Sequence, residues 1–208
     1  MDDIVIERGC FLGLVTSAVE AYNRETNGFL VGNRRTRLVR QRPRAVTVLR
    51  AAYPLQTEDR KPNWVSHGNE KAFKRAREAI ENLDVGYAVL GGFHSHTGED
   101  GAASLSRTDL DYVADELRRI SRDRPADRVQ WLEVVMALKR REWSGRHEIG
   151  WTTRRYQRKL GCTVALDANH GYDMTIGGFW VEGERDGEPG AWDVVGTREA
   201  RLLLPWAQ

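Results

Sequence analysis

The chain has 208 residues, with 32 Lys and Arg against 30 Asp and Glu for a formal net charge of +2. That length suits one domain, and 40% hydrophobic with 30% charged residues excludes disorder as the main state. Global charge so balanced gives no footing for a nucleic-acid binder. No run approaches the ~20 apolar residues of a membrane span, and the acidic start MDDIVIERGC lacks the cations of a signal peptide, so a cytoplasmic protein is expected. Only two cysteines occur, Cys10 and Cys162, which excludes a disulfide framework and a four-thiolate zinc site. Both read as buried small residues, and any metal must use His and carboxylate.

The segment 11–22 places Phe11, Leu14, Val15, Ala18, Val19 and Tyr22 at spacings of three and four, which predicts a helix ending within 23–28. GFLVG at 28–32 and residues 37–53, interrupted at Pro43, read as strands of a hairpin or meander. A polar loop over 54–66 precedes a second helix over 69–83. VGYAVLGGFHSH at 85–96 reads as a buried strand, followed by a Gly/Ala-rich loop from Thr97 to Leu105 and a third helix over 108–120. Strands follow at 129–138 and 172–183, with 139–170 polar and aperiodic between them and an acidic, Gly-rich turn or tail over 182–193. The order α, β, β, α, β, α, β, β describes a single α/β domain with a mixed sheet.

Residues i and i+2 of a strand share a face, so His94 and His96 project together from the end of theirs and can converge on one ion. Taken alone, such a pair is as well explained by two satisfied polar residues. Ser106 and Asp109 stand immediately before the third helix, where Ser-x-x-Asp forms an N-terminal capping box without any catalysis. The same helix start can return Asp109 to the histidines as a carboxylate ligand. Two histidines, one carboxylate and an open position for water is the pattern of a catalytic zinc. Glu25, placed at the end of the first helix where the macrodipole disfavours an anion, is the candidate general base, and a solvated surface glutamate is the plain alternative. Its setting, Glu25-x-x-Gly28-x-Leu30-x-Gly32, adds glycines that let a backbone pass close to a neighbour.

NRETNGFLVG at 23–32 together with GGFHSHTGEDGAASLSRTD at 91–109 resembles the signature of the JAMM (MPN+, JAB1/MPN) zinc metalloproteases. The resemblance runs across roughly residues 10–140 in element order. It implies a JAB1/MPN fold over 1–208, a mixed curved β-sheet flanked by helices and related to cytidine deaminases, with a core at about 10–140 and C-terminal strands and loops over 141–208. It implies zinc held by His94, His96 and Asp109, water activated by Glu25, and an oxyanion bonded by Ser106. The implied reaction is hydrolysis of the peptide or isopeptide bond after the C-terminus of a ubiquitin-like protein, with E1-like or E2-like pathway proteins as further partners. Two features depart from the family pattern. Thr97 stands where Pro is common, and nine residues rather than seven separate His96 from Ser106. Ser104 would fit the shorter count, but Arg107 would then fall at the ligand position.

Two rival readings stand beside this one: a metal-free MPN-type scaffold, and a peptidase that trims a sulfur-carrier-like small protein. A zinc deaminase is excluded because it needs Cys-x-x-Cys, absent here. The seven arginines within 34–50 and the basic run within 139–159 read as solvated faces or charged edges. His67, His147 and His170 lack ligand-like spacing. The loops 52–66 and 143–170 read equally as connectors or as substrate-contacting insertions.

Overall fold

In the computed structural model, which describes residues 3–39, 41–56, 59–61, 64–66, 70–83, 86–97, 102–121, 128–144, 151–156, 158–185 and 192–206, four consecutive buried residues open the chain as strand β1 (Asp3–Ile6). Sequence periodicity misses this strand because DIVI, buried on both faces, has no alternation to detect. Helix α1 (Arg8–Glu20) then buries Cys10, Phe11, Leu14, Val15 and Ala18, close to the expected stripe, but it stops at Glu20. A turn over Ala21–Arg24 leads into β2 (Asn27–Val39), which pairs with β3 (Arg42–Pro54) as one long hairpin. Pro43 is accommodated near the hairpin end, opposite Leu38, where β3 has no second neighbour to miss its N–H.

The segment expected as a loop over 54–66 carries a short hairpin, β4 (Asp59–Lys61) with β5 (Trp64–Ser66). Helix α2 (Glu70–Leu83), strand β6 (Ala88–Thr97), helix α3 (Arg107–Ser121) and strand β7 (Arg128–Glu142) follow as expected in kind and order. The stretch 139–170 is not aperiodic coil. It extends β7 to Glu142 and adds β8 (Trp151–Tyr156) and β9 (Lys159–Ala165), which an Arg-rich composition disguises because their pattern is cross-strand pairing rather than hydrophobic alternation. Strand β10 (His170–Arg185) and a final strand β11 (Trp192–Leu203) complete the chain.

Strand β10 decides the architecture. On one edge it pairs with β7 along its whole length; on the other it pairs with β9 through residues 171–176 and with β11 through residues 178–185. Since β11 also pairs with β1, the ring β11-β1-β3-β2-β6-β7-β10 closes on itself, and β9-β8 branch from it. The expected α/β class holds, but where a mixed curved β-sheet flanked by helices was expected the strands close into a barrel. Closure needs β1 and β11, the two strands least visible in the sequence, and removes their free edges.

The two faces of the strands build separate cores. One gathers Ile4, Leu30, Leu49, Phe93, Leu132, Val134 and Met136 with α1. The other gathers Phe29, Val31, Val113, Leu117, Trp131 and Val181 beneath α2 and α3. Cys10 and Cys162 are both free and buried, and burial pushes each thiol up to about 12. No described helix is long and apolar enough to cross a membrane.

Candidate metal centre

β6 runs parallel to β7 and antiparallel to β2, and the register puts Asn27 opposite His94. The site therefore forms where the end of β6 meets the start of β2. Ser95, fully buried between the two histidines, accepts the Thr26 N–H on Oγ at 3.0 Å and donates its own N–H to the Thr26 carbonyl at 2.9 Å. Gly28 and Gly32 are needed for close packing on the neighbouring strand: a Cβ at Gly28 would lie 2.2 Å from the Tyr53 carbonyl oxygen, and one at Gly32 would lie 2.0 Å from that of Val48.

The three expected ligands come together. His94 Nε2 lies 3.1 Å from His96 Nε2 and 3.3 Å from Asp109 Oδ1, while His96 Nε2 lies 3.5 Å from Asp109 Oδ2. One ligand atom from each residue falls within 4.8 Å of the other two. Donors placed at tetrahedral corners around zinc, about 2.0–2.1 Å from the ion, stand about 3.3 Å apart, so the residues present fit that ion. Each ring has its other nitrogen engaged: His96 Nδ1 donates to the Ala102 carbonyl at 2.8 Å, and His94 Nδ1 to Glu133 Oε1 at 2.8 Å. Both contacts direct Nε2 toward the shared point as the unprotonated nitrogen of a neutral ring.

Asp109 serves two purposes at once. Its Oδ2 accepts the Ser106 N–H at 2.6 Å, and its own N–H donates to Ser106 Oγ at 3.2 Å, a reciprocal capping box at the start of α3. Burial disfavours its ionised form, but His94, His96 and the Ser106 amide outweigh that and hold its pKa well below the usual carboxylate range. The histidines respond in kind. Burial disfavours the His94 imidazolium, yet Asp109 and Glu133 raise its pKa to about 10, and Asp109 raises that of His96 against burial. The carboxylates around the two rings thus favour positive charge at the cluster.

Glu25 is half-buried two residues before β2 and beyond the end of α1, so the macrodipole argument does not apply to it: that field fades within the last turn. Burial raises its pKa, while the neighbouring His94 and His96 oppose the rise and Asp109 reinforces it. Ser106 is exposed at the helix start and reaches the cluster through Asp109. The register follows Ser106 and Asp109, and Arg107 is the first residue of α3. The residue that sequence reading misses is Glu133. Its signal was present as the lone carboxylate inside the apolar run VQWLEVVMAL.

The other candidates lie elsewhere. His170 contacts Asp167 in an exposed turn, at 3.0 Å, while His67 and His147 lie outside the described residues, as do 98–101 of the loop after His96 and 186–191 of the acidic segment. Of the loops 52–66 and 143–170, residues 57–58, 62–63, 145–150 and 157 lie outside as well. Among the arginines of 34–50, Arg34 stacks over Trp180 and donates to Gln130, and Arg50 stacks on Tyr87 and donates to its hydroxyl.

A family described as prokaryotic homologs of the JAB domain matches residues 8–147. No curated protein matches the chain. Among solved structures, the solution structure of protein DSY2949 from Desulfitobacterium hafniense is similar over 97% of this chain and 92% of that one, at 16% identity and a TM-score of 0.49.

Proposed function

Because the chain belongs to the prokaryotic homologues of the JAB domain, we propose that it is a zinc-dependent metallopeptidase of the JAMM type, hydrolysing the peptide or isopeptide bond that follows the C-terminus of a ubiquitin-like protein. One observation carries the reading: His94, His96 and Asp109 bring two imidazole nitrogens and a carboxylate within 3.1–3.5 Å of one another, with a half-buried carboxylate beside them. The ubiquitin-like substrate, and with it E1-like or E2-like partners, rests on the family alone.

Bound zinc supplies Lewis acidity, polarising the scissile carbonyl and making water acidic near neutral pH. Glu25 takes the proton of the attacking water on its carboxylate, for which its raised pKa suits it. As the carbonyl carbon becomes tetrahedral, its oxygen gains negative charge. Ser106 Oγ, whose lone pair accepts the Asp109 N–H, keeps its O–H free to donate to that oxygen. Glu25 then returns the proton to the departing nitrogen as the C–N bond breaks, since an amide nitrogen does not leave as an anion. The products are a carboxylate on the ubiquitin-like side and an amine on the other.

Elemental mass spectrometry of the purified protein beside His96→Ala tests this. About one zinc per chain, lost in the variant, supports the site, and cleavage of ubiquitin-like fusions then tests the substrate. No zinc after incubation with the ion sinks the hydrolase reading in favour of a scaffold.

A further inference from the structure

Glu133 is 1% exposed, and the contacts of its two oxygens leave little choice about what can stand there. Oε1 faces His94 Nδ1 at 2.8 Å and Oε2 accepts the Trp131 indole N–H at 2.7 Å. Indole nitrogen can only donate, and His94 Nδ1 must donate if Nε2 is to present a lone pair to a metal. Two converging donors need a group that accepts on both sides, and an ionised carboxylate is that group. The space is kept open by Gly92, where a Cβ would lie 3.1 Å from Glu133 Oε2 and 3.2 Å from the Trp131 ring. Burying a carboxylate among apolar strands is costly, and this one stands behind His94 rather than among the candidate ligands. With Asp109 it brings two negative charges to a pocket whose imidazoles are neutral once a divalent cation is bound.

We propose that Glu133, itself oriented by Trp131, is a positioning residue that fixes the ring orientation and tautomer of His94 and thereby sets the affinity of the site for zinc. This rests on the proposed metal reading and adds to it a residue outside the ligand set. Such outer partners raise the basicity of the ligating ring and typically change metal affinity about 10–100-fold.

The geometry makes an unusual demand on the test. In Glu133→Gln the indole N–H claims the single amide oxygen, which leaves the amide NH2 facing His94 Nδ1. That ring can accept only by moving its proton to Nε2, the atom needed for the metal. Removing the indole donor in Trp131→Phe with Glu133→Gln frees the amide to turn its oxygen back to His94. Zinc affinity is measured by competition with a chromogenic chelator, alongside thermal melting of the metal-free proteins. The expected result is a loss of about 10–100-fold in Glu133→Gln, less than about threefold in Trp131→Phe, and recovery of about tenfold in the double variant. A purely structural role predicts the opposite order, because the double variant loses more packing and recovers nothing. Affinity within about threefold of wild type in Glu133→Gln, or no recovery in the double variant, overturns the inference. If Glu133→Gln does not fold, the double variant is compared with Trp131→Phe: agreement within about tenfold supports the inference and a larger loss overturns it. Wild-type protein that binds no zinc overturns this inference together with the metal reading, whereas zinc binding indifferent to Glu133 overturns this inference alone.

Discussion

Ser95 in β6 and Thr26, the residue just before β2, exchange two hydrogen bonds, so the residue between the two histidines is tied to the residue after Glu25. The distance between the histidine pair and Glu25, the proposed general base, is thereby set by backbone pairing plus one buried hydroxyl. Ser95→Ala leaves the Thr26 N–H, in a residue only 1% exposed, without the hydroxyl that accepts it, a loss of about 1–3 kcal/mol. The histidines stay on an intact strand. Zinc content is therefore expected to hold while kcat falls, and equal losses of both would show that the hydroxyl supports the strand rather than the placement of Glu25.

The proposed mechanism separates Glu25 from the ligands by function. Glu25→Gln keeps the size and removes the base, so zinc should remain at about one per chain while turnover drops by about 10²–10⁴-fold. His96→Ala removes a ligand whose Nε2 lies 3.5 Å from Asp109 and should lose zinc and turnover together. Unchanged cleavage by Glu25→Gln would remove that residue from the mechanism.

How much of this was legible in the sequence follows the range of each interaction. The His-x-His pair and the Ser-x-x-Asp box are local patterns set by strand and helix periodicity, and their register survives a loop two residues longer than the family pattern. Glu25 does lie beside the histidines, although the sequence assigned it to the end of a helix that stops at Glu20. What the sequence conceals are partners that meet only through the barrel. Glu133 reaches His94 across a parallel pairing 39 residues away, and β11 closes onto β1 with Arg201 paired to Asp3 from 198 residues away. Nothing periodic announces either contact. The run VQWLEVVMAL did announce a buried acid, which is costly enough to require an explanation.

Ser106 caps α3, and the proposed mechanism gives it a second duty that a pair of substitutions can separate from the first. Ser106→Ala removes both the O–H and the cap on the Asp109 N–H, so kcat should fall about 10²–10³-fold and stability by about 1 kcal/mol. Ser106→Gly removes the hydroxyl equally but costs only a few tenths of a kcal/mol at a helix N-cap. Matched kcat losses with unequal melting shifts support a catalytic hydroxyl. If kcat follows stability across the two variants, Ser106 acts only as a cap.

Beneath α3 a second buried acid makes stability depend on pH. Glu116 is fully buried, and its Oε1 accepts from Arg119 Nη1 at 2.7 Å. Burial pushes its pKa up to about 7, with Glu133 adding repulsion and Arg119 and Tyr112 pulling the other way. The folded protein then holds this proton more tightly than the unfolded chain, whose glutamate titrates near 4.5. Below 4.5 both states are protonated and the group contributes no slope. Between that pH and about 7 the unfolded state ionises first, so stability falls as pH rises, by an amount on the order of 3 kcal/mol. Glu116→Gln cannot ionise and should flatten this part of the curve, gaining on wild type as the pH approaches 7 and drawing level with it near pH 4.5. Urea melts of the metal-free proteins at intervals across that range measure the difference. Parallel curves would mean that Arg119 keeps Glu116 ionised throughout and that the buried pair folds as a salt bridge.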